Sequence, residues 1–170
     1  LYHVPSRTEI GRLSDPAIVE SGIYDNPGVA FLDIVQSVAF SPDGNRVAAG
    51  GYRTVKLWER NSNYKAGDLP ATADVPVSAA ASTDGKYIAI GLTNGSAQVF
   101  EVASQKLITT VGGHTGPVNG VSFSVEGTMV ATGSNDKTAK VFNVSDGAEL
   151  RAITTPAPVH DVAFAVEDGL

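Results

Sequence analysis

At 170 residues the chain has the length of one domain, and its 42% apolar content supplies material for a core. The excess of 18 acidic over 12 basic residues, a formal charge of −6, argues against generic nucleic-acid or anionic-membrane binding, because those surfaces attract cationic proteins. With no cysteine, disulfides, thiolate catalysis and cysteine-ligated zinc are excluded, while the compartment of a soluble chain stays open between cytoplasm and periplasm. No apolar run reaches the roughly 18 residues of a membrane-spanning helix. Leu1 is not an initiator methionine, and no signal sequence is recognisable, so a processed or truncated start is expected.

In chain order, residues 1–33 read as an irregular lead-in. Asp15, Pro16 and the later Asn26-Pro27 interrupt any strand pattern, leaving Ala17-Ile18-Val19 and Val29-Ala30-Phe31 as segments able to add a strand to a neighbouring sheet. A first unit, 34–73, offers strands at 35–40, 46–49 and 54–59, then a less regular outer segment at 61–68. Its cations Arg46, Arg53, Lys56, Arg60 and Lys65 suit solvated strand edges. A second unit, 74–110, has an inward strand of small residues, Val77-Ser-Ala-Ala-Ala81, and a hairpin signal at Asn94-Gly95. The third unit, 111–155, is the most regular: Val118, Val121 and Phe123, a turn at Glu126-Gly127, Met129-Val130-Ala131-Thr132, a polar tip at Ser134-Asn135-Asp136-Lys137, then Thr138 to Phe142. A fourth unit, 156–170, opens with a strand carrying Val159, Val162 and Phe164 and reaches only its first turn.

These units superimpose. Phe40, Ala81, Phe123 and Phe164 are spaced 41, 42 and 41 residues apart, and Trp58, Phe100 and Phe142 are spaced 42 and 42. Asp43-Gly44, Asp84-Gly85 and Glu126-Gly127 mark the same turn in each unit. A period of roughly 40–45 residues with four short strands per unit is that of a propeller blade. Phe40-Ser-Pro-Asp-Gly44, Thr54-Val-Lys-Leu-Trp58, Gly113-His114 and Ser134-Asn-Asp136-Lys-Thr138 resemble the signature segments of WD40 repeats. The fold class expected is therefore all-β: WD40-type blades of four-stranded antiparallel sheets forming an incomplete ring, to be completed by further blades or by self-assembly. More narrowly, Gly50 to Trp58 is similar to the first blade of bacterial multidomain proteins in which a c-type cytochrome domain precedes WD40 repeats. No Cys-x-x-Cys-His haem attachment occurs in the chain, so in this alternative, a propeller segment of a larger multidomain enzyme or cytochrome-containing protein, the chemistry would lie outside this chain and no cofactor is expected in it.

The WD40 resemblance also implies a buried tetrad of a loop His, a second-strand Ser or Thr, a hairpin Asp and a third-strand Trp. The third unit matches with His114, Thr132 and Asp136, and Phe142 stands where Trp would be. Unit one has Ala49 and Trp58 without the His, and unit two has Ile90, Asn94 and Phe100. His114, Ser134 and Asp136 have the residue types of a hydrolase triad, but no Gly-x-Ser-x-Gly nucleophile turn accompanies them. No catalytic residue is assigned. His3, His114 and His160 lack short ligand spacing, so no metal site is expected either. Asn94-Gly-Ser96 and Asn143-Val-Ser145 fit the glycosylation pattern, which is short enough to recur by chance.

The expected function is a non-catalytic platform for a protein or peptide partner. Propellers of the resembled family bind through loops around the channel mouth, and the corresponding tips carry Tyr52 and Arg53, Thr93 and Asn94, and Asn135 and Lys137. Tyr52 and Arg53 stand out, because aromatic and Arg side chains dominate binding hot spots.

Overall fold

The computed structural model describes residues 2–3, 8–9, 34–51, 53–59 and 65–165. The strands expected around 17–19 and 29–31, and Tyr52, lie outside these residues. Near the start, β1 (Tyr2–His3) and β2 (Thr8–Glu9) form a two-residue ladder. Twelve further strands then build three sheets, each of four antiparallel strands in sequence order. The first holds β3 (Ser37–Phe40), β4 (Arg46–Gly51), β5 (Thr54–Glu59) and β6 (Lys65–Asp68). The second holds β7 (Pro76–Ala81), β8 (Tyr87–Leu92), β9 (Ala97–Glu101) and β10 (Lys106–Val111). The third holds β11 (Val118–Phe123), β12 (Met129–Ser134), β13 (Thr138–Asn143) and β14 (Glu149–Thr154).

Local chemistry sets the hairpins. The first turn of each sheet places Gly44, Gly85 and Gly127 at φ +67°, +70° and +69°, a region that glycine enters without a Cβ penalty. In the first two, the Asp before the glycine accepts from the preceding Ser: Ser41 Oγ donates to Asp43, and Ser82 Oγ to Asp84 at 2.7 Å. Those bonds and neighbouring amides hold both carboxyls below the usual range, Asp84 at about 2. The Asn94-Gly95 pair differs from expectation. It lies inside a four-residue connection, because only Gly95 takes a positive φ (+83°), whereas a two-residue type I′ turn needs both residues there. The Asn94 carboxamide oxygen instead accepts from the amide and hydroxyl of Ser96, and Asn143 does the same with Ser145.

The middle sheet is buried on both faces. Ile88, Ile90 and Leu92 of β8 join Ala48, Val55, Leu57 and Phe100 in one apolar cluster against the first sheet. Ala89, Ala97 and Val99 join Val118, Val121, Phe123, Val130 and Phe142 in a second, against the third sheet. Alternation along each strand supplies both faces, so β8 reads as a nearly continuous apolar run. The small strand β7 is a close-packing element. Its Ser78 Oγ donates to the backbone oxygen of Val118 at 2.8 Å, tying the first strands of neighbouring sheets together.

Residues 156–165 do not form the strand expected there. A strand is defined by its ladder, and among the described residues no strand lies on the far side of this segment to complete a fourth sheet. The segment nevertheless occupies the next place in the series. Cβ atoms added at Gly50, Gly91 and Gly133 would meet Pro76, Val118 and Val159 respectively, the same contact repeated at each junction.

Candidate functional site

Antiparallel pairing sends the β4–β5, β8–β9 and β12–β13 connections to one end of the molecule, and the Asp-Gly and Glu-Gly turns to the other. The tip residues inferred from sequence therefore share one end. Arg53, Asn94, Asn135 and Lys137 are exposed there and Thr93 is half-buried. The tips are tied to the connections that enter each first strand: the Thr93 amide donates to Val75 O at 3.0 Å and the Asn135 amide to Pro117 O at 3.2 Å. Asn119 Nδ2 bridges Asn135 Oδ1 at 2.8 Å and Val159 O at 3.2 Å. Along the three first strands runs an open cleft of about 370 Å³, lined by Ser37, Ser78, Asn119, His160 and Asp161 among others.

Beneath the third tip, His114, Thr132 and Asp136 come together, in the seam between the second and third sheets. The His114 side chain is fully buried and that of Asp136 is 9% exposed. The carboxylate fixes the role of Nδ1, since an ionised carboxylate only accepts. Nδ1–H of His114 donates to Asp136 Oδ2 at 3.1 Å, and Nε2, which accepts in the neutral ring, lies 2.7 Å from the Thr132 hydroxyl. Asp136 also accepts from the Thr115 amide at 2.9 Å, the Thr138 amide at 2.9 Å and the Thr138 hydroxyl at 2.6 Å. Burial alone would raise the Asp136 pKa, but the bonds from Thr138, Thr115 and His114 outweigh it and hold the carboxyl well below the ordinary range.

One feature of this cluster differs from the sequence reading. Thr138 is a full member, its hydroxyl 2.9 Å from His114 Nδ1 as well as bonded to Asp136. The signal was present in the Asp-x-Thr spacing, which lets an Asp carboxylate cap the amide two residues on. Phe142, which has no N–H to supply the link that a Trp would make, packs in the apolar cluster. The Ser134 hydroxyl donates to Gly116 O at 2.9 Å and accepts the Asp136 amide, and no hydrogen bond joins it to His114, so a nucleophile–base pair is not assembled. In the seam between the first and second sheets different residues serve: Thr72 Oγ1 donates to Asp74 O at 2.7 Å, and Gln98 Oε1 accepts the Ala73 amide at 3.0 Å.

The WD domain, G-beta repeat family matches residues 31–59 and 105–143. Among solved structures, the WD40 repeats of RRP9 superimpose with a TM-score of 0.74 at 20% identity, over 79% of this chain and 43% of that one. WD40 repeats thus account for residues 31–59 and 105–143, and the three sheets have the fold of propeller blades. A WD repeat-containing protein SL1-17 of Schistosoma mansoni is 32% identical over 65% of this chain, and a guanine nucleotide-binding protein subunit beta of Arabidopsis thaliana is 26% identical over 75% of it. The chain spans 37% of the length of each of these relatives. Both are eukaryotic, so they lend no support to the bacterial origin expected from the nine residues around Tyr52. Each WD40 sheet is a propeller blade, and no helix long and apolar enough to cross a membrane occurs among the described residues.

Proposed function

We propose that this WD40 segment is a non-catalytic interaction platform that binds a protein or peptide partner at its tip end, through Tyr52, Arg53, Thr93, Asn94, Asn135 and Lys137. The observation that carries this reading is the division of labour at that end. The polar groups able to do proton chemistry, His114 and Asp136, are sealed and mutually satisfied, while Arg53, Asn94, Asn135 and Lys137 at the tips stay exposed. Function on such a scaffold resides in the loops. The double substitution Asn94→Ala/Asn135→Ala is expected to weaken partner capture about ten-fold, in line with the loss of contacts worth ~1.4 kcal/mol. Thermal unfolding should shift by only a few degrees. Capture that survives unchanged would move the site away from the tips.

We also infer that further blades complete the ring. Val121 and Phe123 of the third blade are buried against the second, and Ala79 and Ala81 of the second pack against the first. The corresponding Val38 and Phe40 of the first blade are 52% and 54% exposed. An apolar strand face of this kind requires a preceding sheet. Hydrogen exchange at β3 should slow at least ~100-fold in a longer natural chain relative to this segment alone, as expected for an added opening cost of about 3 kcal/mol. Equal exchange would refute blade completion on that side.

A further inference from the structure

The three tip connections share a conformational feature that the repeat aligns. Arg53, Gly95 and Lys137, spaced 42 and 42 residues apart, all adopt a left-handed backbone, with φ of +55°, +83° and +69°. Glycine belongs at such a position. In the second blade nothing else fits, because a Cβ on Gly95 would lie 2.2 Å from the backbone oxygen of His114. In the first and third blades, however, a long cationic side chain stands where glycine would be easier, and it is exposed. The Lys137 backbone is held in place: its carbonyl accepts from the Thr155 amide at 2.8 Å and the Thr155 hydroxyl at 3.0 Å. Strain that persists at an exposed side chain points to a use for that side chain.

Charge at this end leads to the same conclusion. Asp74 accepts the Val75 amide, Asp161 the Val162 amide, and Asp136 is enclosed by His114 and the threonines. Among the described residues no carboxylate pairs with Arg53 or Lys137 at this end, nor with Lys106 or Arg151 elsewhere, whereas Arg46, Lys86 and Lys140 have carboxylate partners. The opposite end is the acidic one, with Asp43, Asp84 and Glu126 at the first turns. A chain of net charge −6 thus keeps two unpaired cations on one rim.

We propose that Arg53 and Lys137 form a cationic rim that recognises an acidic segment of a partner protein. This rests on the reading of the tip end as the interaction surface and specifies the partner's chemistry. The test uses the full chain and two fluorescein-labelled peptides, one alternating Glu and Ser, the other alternating Gln and Ser, followed by fluorescence anisotropy. The Glu peptide should bind at least ten-fold more tightly, and its affinity should fall as salt is added, the reverse of what net repulsion between two anions would give. Arg53→Gly and Lys137→Gly should each weaken it about five-fold, and the double variant about twenty-fold. Because glycine relieves the backbone, both variants should unfold at the same or a higher temperature, so the loss cannot be ascribed to misfolding. Equal binding of the two peptides, or glycine variants that bind like the parent, would overturn the proposal. If the Gln peptide bound equally well and lost affinity in Asn94→Ala/Asn135→Ala, the tip surface would stand and only its charge preference would fall. Peptide binding indifferent to every tip substitution would remove both.

Discussion

Asp136→Ala is expected to destabilise the protein by about 3 kcal/mol, read as a lower urea midpoint with an unchanged slope. The side chain accepts from the His114 ring, two amides and the Thr138 hydroxyl, so its removal leaves several donors in a largely closed seam without their acceptor. Thr138 can still accept from His114 Nδ1, which limits the loss. The third tip should loosen first, because the Thr115 and Thr138 amides lie on either side of it. A midpoint equal to the parent's would mean that the seam is held by the apolar cluster alone.

The charge on Asp136 also gives that prediction a pH dependence of definite sign. Its folded-state pKa is depressed, so the stabilisation is fully present above the ordinary carboxylate value and is lost as pH falls through the folded one. Comparing the parent with Asp136→Asn isolates this group from Asp43 and Asp84, whose lowered pKa values are common to both proteins. The stability gap between the two should be widest at neutral pH and narrower by about 1 kcal/mol at pH 3, where the unfolded chain already binds the proton. A gap that stays constant would show that shape, and not ionisation, makes Asp136 useful.

The blades were legible because repetition multiplies a weak signal. A single acid-Gly turn says little, but three at the same phase (two Asp-Gly and one Glu-Gly), each followed by an apolar run and an aromatic, specify a hairpin three times over. Members of the His114 cluster were legible as residue types at family spacing, with Phe142 at the Trp position but unable to donate, whereas Thr138 was not foreseen. Sequence spacing places an aromatic on a strand but does not tell whether its face meets polar groups or a neighbouring sheet. The close approaches at Gly50, Gly91 and Gly133 were also hidden, since a glycine in a strand reads as weakness until the neighbouring blade is seen against it. The partner is the least legible element: exposed tips obey no periodicity, and their chemistry emerges only when φ and ion pairing are known.

Gly91→Ala is expected to cost about 3 kcal/mol, at the upper end for a single added methyl in a packed interior. Its Cβ would lie 2.2 Å from Ser78 Oγ, 2.5 Å from the Val118 carbonyl oxygen and 2.9 Å from Val118 Cγ1. Ser78 can rotate away, but doing so abandons its bond to that carbonyl. The carbonyl itself can retreat only if β11 moves, and with it the third blade. Adding Ser78→Ala should therefore rescue little. Gly44→Ala provides the scale for a purely conformational penalty, since its Cβ meets nothing within 4 Å and only its φ of +67° resists, a cost of about 1 kcal/mol. Gly133→Ala should fall between the two, because the groups it meets are the Val159 and Val162 side chains, which can shift without displacing a strand. If thermal unfolding placed Gly91→Ala level with Gly44→Ala, the second and third blades would not be packed backbone to backbone at this junction. The order Gly91, Gly133, Gly44 would instead show that each blade is positioned by how closely its neighbour's first strand can approach.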